Sequence, residues 1–157
     1  MTQQPLVSII TPAFKAQHSI ADTVRSVMAQ RYRHWEMLIV SDDHYDYRSQ
    51  LKAQGLWDKR ISLHYSEQRQ SGPNAARNIA LNAAQGELIA PLDADDSYYP
   101  ERLSSLSPLA IEYGMAADNA DIVSTEPQFG QQLGSALVSF DGSRLWSARA
   151  YCETNTR

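Results

Sequence analysis

Three aspartates, Asp93, Asp95 and Asp96, stand together directly after the apolar run of residues 88–92. Clustered carboxylates repel one another, so their proximity costs free energy unless a cation or solvent screens the charge. Carboxylate oxygens suit Mg²⁺ or Mn²⁺, which often bind one or two carboxylates together with the phosphates of a substrate. A solvated acidic turn that caps the following helix explains these residues about equally well. We predict that residues 88–92 form a buried strand, and the position directly after a buried strand is what favours a metal–diphosphate site.

Two other short segments carry polar residues with nucleotide-binding chemistry. Asp42 and Asp43 follow the apolar run of residues 36–40, and a carboxylate there can accept a hydrogen bond from a base N–H or a ribose hydroxyl. Arg77 and Asn78 lie at the start of a predicted helix, where anions are favoured and where arginine can bind a base or a phosphate. Taken singly, a turn aspartate and a solvated helix arginine are the commoner explanations.

The elements that must position these loops alternate between strands and helices. Pro12 is expected to end the first strand, and Ser19 with Asp22 is expected to form a capping box for the first helix. Gly55 and Gly86 are expected to close the second and third helices. The predicted strands cover residues 6–11, 36–40, 61–65, 88–92, 121–124 and 136–140, the predicted helices cover residues 20–28, 47–54, 75–85 and 100–114, and a turn is expected at residues 71–74.

Strand–helix alternation with continuous apolar strands predicts an α/β fold, Rossmann-like, with a mainly parallel central sheet and helices on both faces. Residues 1–157 are interpreted as a single domain. In such sheets ligands bind beyond the carboxyl ends of the strands. The residues of interest follow three strands, at Pro12–Phe14, Asp42–Asp43 and Asp93–Asp96, so we expect them to converge on one site.

The bulk composition excludes several function classes. The chain has 157 residues, 43% of them apolar, and a formal net charge of −4, which disfavours binding of nucleic acid. Cys152 is the only cysteine, so neither an internal disulfide nor a cysteine-based zinc site is expected. Dinucleotide and P-loop glycine motifs are absent. We find no signal peptide and no apolar run of roughly 20 residues, and therefore expect a cytoplasmic protein, including the inner face of the membrane.

Several segments, in a fixed order, resemble glycosyltransferase family 2. They are residues 7–14 (VSIITPAF), 26–30 (SVMAQ), 35–40 (WEMLIV), 72–78 (GPNAARN), 86–96 (GELIAPLDADD) and 99–103 (YPERL). The resemblance covers roughly residues 5–105. It implies a GT-A fold, a nucleotide-diphospho-sugar donor (a UDP-sugar by family frequency), a divalent metal such as Mg²⁺ or Mn²⁺, and transfer with inversion to the hydroxyl of a saccharide or lipid-linked acceptor in polysaccharide biosynthesis.

The resemblance also implies roles for individual residues. Pro12 and Ala13 would line the nucleoside pocket, and Asp42 would contact the base, although alignment of Asp43 with that position is left open. Asp93 would hold the ribose or join Asp95 in the metal site. The remaining donor-binding residues implied by the matched segments, near the base or the diphosphate, are Asn74, Arg77, Asn78 and Ala94.

The sequence also departs from the family pattern. The usual Asp-Asp-Gly-Ser run is Ser41-Asp42-Asp43-His44 here, and Pro91 stands in the strand before the metal loop, which predicts an early end or an edge position for that strand. The acceptor-binding half of the family is expected to be missing, and no catalytic base is identified. Glu126, Asp141 and Glu153 are the available carboxylates. A nucleotide-sugar-binding module without turnover is therefore the alternative, and a nucleotidyltransferase ranks third because the loop after strand one lacks glycine.

Overall fold

The structure, a computed structural model, describes residues 4–118. Within them strands and helices alternate along the chain. They are β1 (Val7–Ala13), α1 (Ile20–Met28), β2 (Trp35–Ser41), α2 (Tyr47–Ala53), β3 (Ile61–Tyr65), α3 (Pro73–Ala83), β4 (Leu88–Pro91) and α4 (Arg102–Tyr113). The chain divides into two units, residues 1–107 and 108–157, and the first contains all four of these strands. The strands predicted at 121–124 and 136–140 lie outside the described residues.

The four strands form one parallel sheet in the order β3-β2-β1-β4. On one face, Ile9, Met37 and Ile39 share a core with residues of α1 and α2. On the other face, a smaller cluster contains Ile10, Leu38 and Val40 with Ala76 and Ala80 of α3. Alternate residues of each strand thus face opposite helix layers. The predicted α/β fold with a parallel sheet and helices on both faces is confirmed.

The first strand is longer than the sequence predicts, because Pro12 does not end it. β1 continues to Ala13, with Pro12 opposite Val40 of β2. Leu92 N–H donates to Ile10 O, so the backbone polar groups of Ile10 point toward β4. Those of Pro12, two residues later, point to the same side of β1. β4 has already ended at that level, so the ring nitrogen of Pro12 faces no strand there. No ladder hydrogen bond is lost there, and proline is tolerated.

Gly86 does not close the third helix as expected, since α3 ends at Ala83. A Cβ atom on Gly86 would lie 2.5 Å from Ser8 Oγ and 2.6 Å from Leu6 O. The backbone of residue 86 passes so close to the start of β1 that only glycine fits at this position. α3 itself begins at Pro73, earlier than predicted, with Gly72 at the N-cap in a positive-φ conformation (φ 93°). Proline at the first helical position has no N–H to leave unpaired, which explains the earlier start.

Two local predictions on the remaining elements are wrong, and one is supported. Ser19 makes no side-chain cap, because its hydroxyl lies 3.4 Å from Ala16 O and Asp22 pairs with Arg25 instead. The strand β4 is not fully buried, since Ile89 is 43% exposed. Pro91 is the last residue of β4, and among residues 4–118 this strand lies at the edge of the sheet, as its proline predicts.

Candidate functional site

A cavity of about 530 Å³ lies at the carboxyl ends of β1, β2 and β4. The predicted residues among its lining are Pro12, Ala13, Asp42, Arg77, Asp93, Ala94 and Asp95. Phe14, which belongs to the predicted loop after β1, lines it as well. The lining residues to which sequence reasoning gave no role in the site are Lys15, Ala16, Ser19, Gln70, Gly72, Pro73 and Ala76. Asp43, Asn74 and Asn78 are not part of the lining. The three loops therefore converge as the parallel sheet requires, since its strand ends share one edge.

Asp42 fastens the turn that leads into α3. Its carboxylate oxygens accept hydrogen bonds from the backbone N–H groups of Ser71 and Gly72, both at 2.9 Å. Asp42 is buried, with only 4% of its surface exposed. Burial raises the pKa of Asp42, but the Ser66 hydroxyl and those two N–H groups outweigh it and lower that pKa. Asp42 is thus ionised at neutral pH, and it fixes one wall of the cavity.

Asp43 points the other way, toward the loop that follows β1. Lys15 N–H and the Gln17 side-chain amide donate to its Oδ2 at 2.9 and 3.2 Å, and the hydroxyl of Tyr47 donates to the same oxygen at 3.0 Å. Ser41 Oγ donates to its Oδ1 at 2.9 Å. Burial raises the pKa of Asp43, whereas these donors together lower it. Asp43 therefore anchors the loop that carries the Phe14 and Lys15 walls of the cavity.

Arg77 on α3 pairs with Asp93 after β4. Its Nη2 donates to Asp93 Oδ1 at 2.7 Å, and its Nη1 donates to Asn74 Oδ1 at 3.2 Å. Both partners of the ion pair are partly exposed, so the pair contributes little to stability. Its effect is to join the N-terminus of α3 to the aspartate loop across the cavity. Asn78 is exposed on the same helix.

The aspartate loop supplies the cavity with one carboxylate that no other described side chain engages, and this group could bind a cation. Asp95 is exposed and lines the cavity, and no hydrogen bond or ion pair of its carboxylate is found among residues 4–118. Desolvation, followed by the negative charges of Asp95 and Asp93, raises the pKa of Asp96. Within that range no three His, Cys, Asp or Glu side chains cluster into a metal site. One or two carboxylates fit Mg²⁺ or Mn²⁺ only where phosphate and water complete the ligand set.

Sequence reasoning missed the polar side chains of α1 that hold this loop. Thr23 and Ser26 contact the segment that follows β4, and so does Gln30, just beyond the helix. The signal was present, since these residues lie three and four positions apart and adjoin the apolar positions Val24 and Val27. Glu126, Asp141 and Glu153, the carboxylates available for a base, lie outside the described residues.

Sequence comparison finds relatives that are named glycosyltransferases. The protein TuaG of Bacillus subtilis (strain 168) is 46% identical over 101 residues, which are 64% of this chain and 40% of TuaG. The Escherichia coli UDP-Glc:alpha-D-GlcNAc-diphosphoundecaprenol beta-1,3-glucosyltransferase WfgD is 41% identical over 98 residues, 62% of this chain and 38% of WfgD. The chain thus spans about two fifths of the length of these relatives.

A solved structure supports the fold. The crystal structure of S. aureus TarS 1–349 in complex with UDP-GlcNAc has a TM-score of 0.61 and 23% identity, covering 76% of this chain and 37% of that one. At this identity the likeness shows the fold, which is the GT-A fold. The sequence model of the family described as glycosyl transferase family 2 matches residues 8–151 of this chain. The chain therefore belongs to glycosyl transferase family 2.

Proposed function

We propose that this chain binds a nucleotide-diphospho-sugar, of which a UDP-sugar is the first candidate, and takes part in transferring its sugar, with inversion, to an acceptor hydroxyl. The observation that carries the proposal is the cavity at the carboxyl ends of β1, β2 and β4, where Asp42, Arg77 and Asp95 converge. Its volume of about 530 Å³ lies in the range of ligand pockets in general. Family membership and the UDP-glucose named in the description of WfgD support the donor class.

The charges of the cavity support binding of a diphosphate together with a cation. Lys15 and Arg77 line it beside Asp93 and Asp95, so groups that attract phosphate lie next to a group that attracts metal. Asp95, joined by Asp93 when the Arg77 pair opens, would hold Mg²⁺ or Mn²⁺. Such an ion would neutralise the diphosphate leaving group and orient it. The chain's own residues would orient the nucleoside, with Pro12 and Ala13 along one wall and Asp42 on the other.

The acceptor belongs to the proposal as well. We expect a saccharide or a lipid-linked saccharide, since the name of WfgD describes a diphosphoundecaprenol acceptor. This chemistry would place the protein at the inner face of the cytoplasmic membrane. No helix among residues 4–118 is long and apolar enough to cross a bilayer.

Isothermal titration with UDP and UDP-glucose, with and without Mn²⁺, tests the donor proposal. We expect binding that Mn²⁺ strengthens, and we expect Asp95→Ala to remove the strengthening. Asp96→Ala is the matched control, because Asp96 belongs to the same loop but does not line the cavity. Absence of any nucleotide binding at millimolar concentration with Mn²⁺ present would refute the proposal. A loss of the Mn²⁺ effect in the Asp96→Ala variant alone would instead assign the metal to Asp96.

A nucleotide-sugar-binding module without turnover is the second candidate. One observation favours it: within residues 4–118, the cavity carboxylates Asp42 and Asp93 are already engaged by N–H groups and by Arg77. Asp95 is assigned to the metal, which leaves no described carboxylate there to act as the base. An assay of UDP release from UDP-glucose with lipid-linked and free saccharide acceptors discriminates the two. Turnover above that of the Asp95→Ala variant excludes the second candidate.

A further inference from the structure

Thr23 on α1 touches the aspartate loop from beneath. Its Oγ1 lies 2.9 Å from the carbonyl oxygen of Ala94 and 2.8 Å from that of Asp96, and the residue is 1% exposed. A threonine has one hydroxyl proton, so the two carbonyls share it. These carbonyls belong to the residues on either side of Asp95. One buried hydroxyl thus restrains the backbone before and after the residue proposed to bind the metal.

The restraint continues along α1 beyond Thr23. Ser26 Oγ accepts the backbone N–H of Tyr98 at 3.1 Å. Gln30 is fully buried, and its Nε2 donates to Tyr99 O at 2.7 Å while its Oε1 accepts the N–H of Leu103 at 3.1 Å. Buried polar groups are normally satisfied, and each of these side chains hydrogen-bonds to the backbone of the segment after β4, while Ser26 and Gln30 also donate to carbonyl oxygens of α1. We call Thr23, Ser26 and Gln30 the α1 polar ridge.

The loop depends on this ridge because it makes few backbone hydrogen bonds of its own. The Asp96 N–H donates to Asp93 O at 3.1 Å, which closes a single turn around Asp95. Asp95 and Asp96 are adjacent and exposed, and Asp93 stands two residues before Asp95. Like charges on a short exposed turn favour its opening. A buried hydrogen bond from α1 opposes that opening.

We propose that Thr23 is a positioning residue for the metal–diphosphate site, and that its hydroxyl holds the Asp93–Asp96 turn in the geometry that directs Asp95 into the cavity. This inference rests on the proposed function. Thr23 is buried and does not line the cavity, so it acts through the backbone on both sides of Asp95. A site held in its bound geometry in advance loses less freedom on binding, so loosening the turn weakens the metal-linked part of nucleotide affinity.

Thr23→Val and Thr23→Ser test this, because valine removes the hydroxyl at nearly constant volume and serine keeps it. Thr11→Val is the matched control: the Thr11 hydroxyl is fully buried in β1 and has no hydrogen-bond partner among the described residues. The first readout is amide hydrogen exchange of residues 93–99 without nucleotide. The second is the factor by which Mn²⁺ strengthens UDP binding. Should Thr23→Val fail to fold, Thr23→Ala replaces it with the same expected result.

We expect the Asp96 amide to exchange faster in Thr23→Val than in the wild type. We also expect the factor by which Mn²⁺ strengthens UDP binding to fall roughly tenfold, while UDP affinity without metal is unchanged. Thr23→Ser and Thr11→Val should match the wild type in both readouts. Unchanged exchange, or an unchanged factor for Mn²⁺, in Thr23→Val would overturn the inference and leave the proposed function intact. Wild-type protein that binds no UDP would refute the proposed function, and this inference with it.

Discussion

Replacing Asp42 with asparagine tests the cavity wall most directly. The carboxylate accepts the N–H groups of Ser71 and Gly72, one on each oxygen, at 2.9 Å. Asparagine keeps the shape but turns one of these oxygens into an NH₂ group, which faces an N–H donor. The variant therefore keeps at most one of these two N–H hydrogen bonds, without the negative charge, and leaves the other N–H group unpaired.

The expected loss follows from these contacts. Removing the acceptor of a buried N–H group costs roughly 1–3 kcal/mol, toward the upper end where the acceptor was charged. We therefore expect Asp42→Asn to lower the free energy of unfolding by about 2–3 kcal/mol. For a chain of this size, that corresponds to a fall in melting temperature of roughly 5–10 °C. Because the freed turn carries Gly72 and Pro73 of the cavity lining, we also expect UDP affinity to fall about tenfold, equally with and without Mn²⁺.

Urea unfolding followed by circular dichroism, together with UDP titration, measures both effects. Asp95→Asn is the control, since its side chain is exposed and makes no hydrogen bond within the described residues. It should change stability by less than about 0.5 kcal/mol while losing the Mn²⁺ effect. An Asp42→Asn protein as stable as the wild type would refute the role of Asp42 in holding the turn. Full UDP affinity in a destabilised Asp42→Asn protein would refute its place in the nucleoside pocket.

Three further outcomes are expected. Arg77→Ala should weaken UDP binding about tenfold in titration. It should shift the melting temperature by less than about 3 °C, because the ion pair that it removes is partly exposed, and a large loss of stability would contradict this. Gly86→Ala should destabilise by about 3 kcal/mol or prevent folding in urea titrations, since its Cβ would lie 2.6 Å from a backbone oxygen of residue 6. Hydrogen bonds from the Arg60 side chain hold the pKa of Asp58 at about 2, below the ordinary value of 3.8 for an aspartate. Because the folded-state pKa is lowered, this stabilisation, about 2 kcal/mol at most, is present above pH 4 and is lost as pH falls toward 2. Asp58→Asn should remove that part of the acid dependence of unfolding, and an unchanged dependence would count against it.

The sequence predicts the elements well where local pattern decides them. Apolar runs, helix-forming residues and helix-ending glycines predict all four strands and four helices within residues 4–118, and their alternation predicts the parallel orientation of the strands but not their order in the sheet. Predictions at the ends went wrong where a distant segment decides. Pro12 continues β1 only because β4 stops short of it, and Gly86 is a contact glycine only because β1 passes within 3 Å of its position. Neither fact is visible in a window of neighbouring residues.

The same distinction between local pattern and distant contacts applies to the candidate site. Its location at the strand ends follows from parallel topology, so Pro12, Asp42 and Asp95 could be named in advance. The partners of each side chain could not, since Asp42 bonds to residues about thirty positions away and Thr23 to residues more than seventy positions away. A polar residue on a helix is usually solvated, so the spacing of the α1 polar ridge indicates a shared face of the helix but does not identify the loop that this face contacts.

The pair Asp42–Asp43 shows how such contacts change the meaning of a mutational result. A loss of nucleotide affinity confined to an Asp43 variant would, from alignment alone, indicate that Asp43 contacts the base. In the structure Asp43 does not line the cavity, yet it binds Lys15 N–H and the Tyr47 hydroxyl and so anchors the loop behind the Phe14 wall. An Asp43 variant is therefore expected to lose affinity through that loop. Tyr47→Phe separates the two explanations, because it weakens the same anchor without touching any carboxylate: a parallel loss of affinity there assigns Asp43 to the loop, and an unaffected Tyr47→Phe protein assigns it to the base.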